Sequence, residues 1–215
     1  MFKSTFTTAF FISLAFAIGF IFLSISISHH TIEHFDRLVI SFIRGWETPT
    51  LTNIMKYFTT VGSMVSVLIL SIIALFFIYQ KNKQRSDAVF YMTVLIGNVL
   101  LNQTLKAIFR RARPDLHRLI VESGYSFPSG HSMTAFSMYG AISFLIWKHI
   151  PSKQGRGAVI LLSSFMILAI GVSRIYLGVH YPSDVLGSYL FSGFWLTAAI
   201  WFYQRYKEKY NNKRT

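Results

Sequence analysis

The chain has 215 residues, 53% of them hydrophobic and only 13% charged, where ordinary soluble domains carry about 25% charged residues. That balance excludes an ordinary soluble domain, and the formal net charge of +13 is then read as cationic loops against anionic lipid headgroups rather than a nucleic-acid surface. The absence of cysteine excludes disulfides and thiolate metal sites.

Residues 6–28 form the first apolar stretch, long enough for a span of about 20 residues. It is too long for the apolar region of a signal peptide. His29 and His30 follow it in place of a small-residue cleavage site, so it is read as an uncleaved span. In the next segment Ile32, Phe35, Val39, Phe42, Ile43 and Trp46 share one helical face, and Glu33, Asp36, Arg37, Ser41 and Arg44 take the other. This predicts an amphipathic helix in the interface plane, either beside a lipid entrance or capping the bundle. Further apolar stretches cover residues 57–80, 88–109, 131–147, 158–177 and 182–203. The fold class expected is an all-α polytopic membrane bundle of about six transmembrane helices with an interfacial helix. A single domain is expected over residues 1–215.

Loop charge orients the bundle. Lys3, Lys81, Lys83, Arg85, Lys148, Lys153, Arg156, Arg205, Lys207, Lys209, Lys213 and Arg214 fall on the amino-terminal side, opposed only by Asp87 and Glu208, a net of +10. The other side holds the remaining 9 basic residues against 6 acids, a net of +3. The positive-inside rule predicts a multi-pass cell-membrane protein with both termini in the cytoplasm.

Three polar segments then meet on the extracytoplasmic face: K-x6-R-P at residues 106–114, P-S-G-H at 128–131 and S-R-x5-H-x3-D at 173–184. A phosphoryl group in transfer spreads negative charge over its equatorial oxygens, so catalysis is largely positioning and charge stabilisation. Lys106, Arg113 and Arg174 are the cations suited to that clamp, arginine as a planar fork and lysine as a point charge. Ser129 and Gly130 stand where a helix begins and backbone N–H groups face an anion. His180 is the candidate nucleophile, with Asp184 four residues on to accept from its other ring nitrogen. His131 is the candidate general acid. The remaining histidines, 29, 30, 34, 117 and 149, lack such partners and are read as interfacial. No acidic ligand cluster is visible, so neither a metal nor another cofactor is expected.

In order and spacing these segments resemble the signature of the type 2 phosphatidic acid phosphatase family, over roughly residues 54–204. The resemblance implies a helical membrane fold and metal-independent hydrolysis through a phosphohistidine, with His180, Asp184, His131, Lys106, Arg113, Ser129, Gly130 and Arg174 in the roles above. Size and span number look most like the bacterial phosphatidylglycerophosphatase B branch, which implies a lipid phosphate substrate, membrane lipids as surroundings, no nucleic acid and no obligate protein partner. Phosphatidylglycerophosphate is the expected substrate, with undecaprenyl diphosphate or a broad range of lipid phosphates as alternatives. Arg110, Arg111, His117 and Arg118 are candidates for a second phosphate or for general headgroup attraction. A transport reading rests on Asn98, Asn102 and Gln103, which either line a path or bond between helices.

Overall fold

The structure, a computed structural model, describes residues 2–82, 85–115 and 117–212. Lys83, Lys213 and Arg214 of the basic side lie outside them. Among the described residues eight helices run in chain order: α1 (Phe2–Ser28), α2 (Glu33–Arg44), α3 (Pro49–Val61), α4 (Met64–Asn82), α5 (Arg85–Phe109), α6 (Gly130–Trp147), α7 (Lys153–Tyr176) and α8 (Pro182–Asn212). The described residues contain no strand, so the all-α expectation holds.

Two expected spans need correction. The stretch at 57–80 is not one helix: α3 and α4 meet at Gly62 and Ser63 with a bend of 56°. Thr48 starts α3 by accepting from Leu51 N–H at 3.2 Å, with Pro49 in the first turn, so the helix begins well before the apolar run does. Residues 131–147 do form a helix, α6, but it lacks the apolar composition of a lipid-facing span. Four single helices have that composition, at Thr8–Ser28, Arg85–Phe109, Lys153–Tyr176 and Pro182–Tyr210, and the bent pair makes a fifth.

The reason lies in packing. Helix α6 is enclosed by α4, α5, α7 and α8, and its Ser132, Met133, Ala135, Ser137, Met138, Ala141 and Leu145 are all buried. A helix shielded from lipid can carry hydroxyls, provided they find partners. Ser137 donates to Asn98 Oδ1 at 3.0 Å, Asn98 Nδ2 donates to Thr134 Oγ1 at 3.2 Å, and Asn102 Nδ2 donates to Pro128 O at 3.3 Å. Asn98 and Asn102 thus bond to α6 and the turn before it, the second of the two roles considered for them, while Gln103 is exposed on α5.

Helix α1 lies along α8, and α3 lies along α7. The interfacial helix α2 forms as expected but turns its faces the other way from a cap that buries its apolar stripe. Leu38, Phe42 and Trp46 are exposed, whereas Asp36 is only 2% exposed and accepts from Ser183 at the start of α8. An apolar face directed outward suits lipid surroundings, and the polar face turns toward the motifs.

Candidate active site

Four connections position the site. Helix α5 ends with Lys106 in its last turn, and the loop after it returns to the start of α8, where Ser126 donates to Asp184. Phe127 anchors that loop: it is fully buried and packs against Phe109 at 4.8 Å and Phe20 at 5.9 Å between ring centroids. Removing so enclosed a ring costs about 3–5 kcal/mol in cores of known energetics. The loops of the first and third motifs are joined by Leu119 N–H donating to Leu177 O at 3.1 Å. Gly178 adopts φ +74 there, and a Cβ on it would stand 2.7 Å from His117 O, so both conformation and space call for glycine.

His180 is 2% exposed at the centre. Arg113 Nη1 donates to its Nε2 at 3.2 Å, and since a guanidinium has no acceptor, Nε2 must present its lone pair. The ring proton therefore sits on Nδ1, which faces Asp184 Oδ2 at 3.5 Å and Ser126 Oγ at 3.4 Å. Burial pushes the His180 pKa down to about 4; the Asp184 hydrogen bond and charge oppose this, and Arg174 and Arg113 add to it. His180 is accordingly a neutral imidazole with its unprotonated nitrogen among cations.

Asp184 is fully buried and well supplied. Its Oδ2 accepts from Tyr181 N–H at 2.8 Å and from the Ser126 hydroxyl, and its Oδ1 accepts from Arg111 Nη1 at 2.6 Å. Arg113 is held by three carbonyls: Val179 O at 2.8 Å, Ser123 O at 2.9 Å and Gly124 O at 3.0 Å. Arg174, 1% exposed, donates to Thr59 Oγ1 and to Glu122 Oε1, both at 2.6 Å. Its Nε is buried without a hydrogen-bond partner among the described residues. Lys106 lies within electrostatic reach of Arg113, Glu122, Arg174 and Asp184.

His131, in the first turn of α6, lies within electrostatic reach of Arg174, Glu122, His180 and Lys106. Gly62, at the bend between α3 and α4, packs on α7 beside it: a Cβ there would stand 2.7 Å from Ile170 Cγ2 and 3.4 Å from His131 Cδ2. Ser129 is the N-cap of α6: its Oγ accepts from Ser132 N–H at 3.5 Å and from the Ser132 hydroxyl at 3.0 Å. The side chain is fully buried, and it acts here as the cap. Gly130 packs closely on α5, where a Cβ would lie 3.3 Å from Asn102 Oδ1. All eight residues singled out by the sequence therefore stand at one end of the bundle.

Besides Thr59, three partners among the described residues escaped the sequence reading. Glu122 joins Arg174 and lies 3.9 Å from Arg113. Burial works against its charge, but the hydrogen bond and charge of Arg174, with His131 and Arg113, hold its carboxyl below the usual range. Ser126 and Asp36 are the others, and neither stands inside a motif. One candidate for a second phosphate is corrected: Arg111 is engaged by Asp184, Asp36 and Ser183 Oγ. His117 meets Glu47 at 3.1 Å, and Arg118 meets Asp115 at 3.2 Å and Pro114 O at 2.7 Å.

The sequence model of the PAP2 superfamily matches residues 87–208, more than half of the chain. The chain belongs to the PAP2 superfamily. Phosphatidylglycerophosphatase B of Bacillus subtilis (strain 168) is 34% identical over 173 residues, which span 79% of this chain and 84% of that protein. The undecaprenyl-diphosphatase BcrC of the same organism is 33% identical over 144 residues, 64% of this chain and 67% of the relative. Among solved structures, a transmembrane PAP2 type phosphatidylglycerolphosphate phosphatase from Bacillus subtilis superposes with a TM-score of 0.83 at 28% identity, covering 93% of this chain and 97% of the other. The PAP2 fold, a multi-pass membrane location and phosphatase chemistry follow from these matches. The PAP2 model does not reach Asp36 or Thr59, which come from α2 and α3 ahead of it.

Proposed function

We propose that the chain hydrolyses phosphatidylglycerophosphate to phosphatidylglycerol and phosphate, through a phosphohistidine on His180 and with no metal or other cofactor. The observation that carries the mechanism is the tautomer of His180: Arg113 on Nε2 leaves the proton on Nδ1, toward Asp184. A neutral imidazole so held attacks phosphorus through Nε2 as the bond from phosphorus to the lipid oxygen breaks. His131 gives its proton to that oxygen, then takes one from the water that attacks the phosphohistidine, so phosphate leaves and His180 is restored. Asp184 steadies the imidazolium between the two steps. Lys106, Arg113 and Arg174, with the α6 N-terminus at Ser129 and Gly130, balance charge on the phosphoryl oxygens.

The substrate rests on the match to phosphatidylglycerophosphatase B across 84% of its length. The match to undecaprenyl-diphosphatase BcrC favours a second reading, a polyprenyl diphosphate. The engagement of Arg111 does not separate the two, because both lipids carry a second phosphate, so the choice rests on the fuller match. Comparing kcat/KM of the pure protein for the two lipids tests the choice. A preference for the diphosphate overturns it.

The same reading places residues 1–215 in one domain with the site outside the cytoplasm. Asp87, at the opposite end of α5 from Lys106, is buried and accepts from Lys148 at 2.9 Å and Lys207 at 3.0 Å. The basic end of the bundle is therefore the end away from the motifs, as the positive-inside rule requires of a cytoplasmic face.

A further inference from the structure

Helix α8 opens on Pro182, and the residue before it, Tyr181, has no side-chain oxygen within reach of the first free N–H groups. Asp184, at the third helical position, supplies half of a capping box by folding back onto Tyr181 N–H at 2.8 Å. The other half comes from α2, 147 residues away in sequence. Asp36 Oδ1 accepts from Ser183 N–H at 2.8 Å, and its Oδ2 accepts from the Ser183 hydroxyl at 2.6 Å. Asp36 is thus the N-cap that the α8 sequence lacks.

The same carboxylate grips Arg111. One arm of that guanidinium, Nη2, donates to Asp36 Oδ2 at 2.8 Å. The other, Nη1, donates to Asp184 Oδ1 at 2.6 Å and Ser183 Oγ at 2.7 Å, while the Tyr181 ring lies 4.2 Å from the guanidinium carbon. Arg111 is fixed on both sides, so Asp184 Oδ1 is fixed with it and Oδ2 is left facing His180 Nδ1.

Charge gives the arrangement a purpose beyond rigidity. Paired with Arg111 alone, Asp184 would form a neutral couple with little field to offer an imidazolium. Two carboxylates sharing one guanidinium keep a net charge of about −1 next to His180, the sign that its positive intermediate needs. Asp36 is 2% exposed and Arg111 15% exposed in its side chain, so water screens this little.

We infer that Asp36 is a positioning residue for the His180–Asp184 pair, acting from the interfacial helix through Arg111 and the start of α8. The inference rests on the proposed phosphohistidine mechanism.

A double-mutant cycle on the full-length protein in lipid nanodiscs, with phosphatidylglycerophosphate as substrate, tests it. D36N keeps the shape and one acceptor but loses the charge. It should lower kcat about tenfold or more with KM within about twofold, and cost almost nothing further when added to D184N. An equal loss in both backgrounds makes Asp36 merely structural and overturns the inference, as does D36N with wild-type kcat. If D36N does not accumulate in the membrane, Arg111→Lys breaks the same link while keeping a cation, and the same non-additivity with D184N is required. Wild-type kcat in D184N by itself is a different result: it overturns the mechanism beneath.

Discussion

Arg174 Nη2 donates to Glu122 Oε1 at 2.6 Å, so a carboxylate stands against a guanidinium assigned to the phosphoryl oxygens. Glu122 is held ionised by Arg174, with His131 and Arg113 adding to the effect, and an arriving phosphate must exchange with it. Glu122→Gln removes the competing charge while keeping the shape. Inhibition by vanadate, a phosphate mimic, should tighten by on the order of tenfold, equivalent to about 1.4 kcal/mol. Unchanged or weaker vanadate inhibition would show that Glu122 does not compete with the anion.

The cations assigned to phosphate also bear on metals. Arg113 and Arg174 stand beside His180 and Arg111 holds the adjacent Asp184, so cations that would repel a divalent ion surround the two residues able to ligate one. Phosphatase activity should therefore survive prolonged EDTA within about twofold. Loss on chelation, restored by Mg²⁺ or Zn²⁺ and by no other addition, contradicts the mechanism.

Much of this site was legible in the sequence because phosphoryl chemistry needs particular side chains at particular helix ends. His180 and Asp184 are one helical turn apart in number, and the three motifs border apolar runs whose topology carries them to one face. The rest was hidden for physical reasons. Arg111 and Arg113 are both arginines beside one proline, and spacing does not say which meets His180 and which meets Asp184. The alternation in α2 defines two faces, but in lipid the apolar face turns outward, so Asp36 read as a surface residue is in fact buried. The 56° bend at Gly62 and Ser63 falls inside a stretch apolar enough overall to read as one span, and the close packing of Gly62 on Ile170 of α7 is a contact that hydropathy does not carry. Glu122 and Ser126 belong to an irregular loop with no periodicity to read.

Sidedness is tested by labelling, helped by the absence of native cysteine. Val121 is 98% exposed on the loop beside Glu122, and Arg85 is exposed at the start of α5, the opposite end of the bundle. In intact cells Val121→Cys should react with an impermeant thiol reagent, and Arg85→Cys should react only after permeabilisation. The reverse pattern would place the motifs in the cytoplasm.

The two histidines separate by kinetics and pH. His180→Ala removes the nucleophile and should lower turnover of every substrate by about 10⁴-fold or more. His131→Gln removes a proton donor, a loss of about 10²–10⁴-fold on a lipid phosphate. That loss should shrink on p-nitrophenyl phosphate, whose leaving group needs little protonation. The second step still needs His131 to activate water, so this variant should accumulate phosphoenzyme after a rapid burst. The burst also reports the charge of His180. Burial holds its pKa down to about 4, so the nucleophilic neutral form persists as pH falls from 7 to 5 and is lost only as pH drops through about 4. Rapid-quench labelling with ³²P, worked up in alkali to preserve phosphohistidine, reads both. A burst rate that falls off around pH 6.5 means that His180 is not shielded as described. An alkali-stable phosphoenzyme in His180→Ala moves the nucleophile elsewhere.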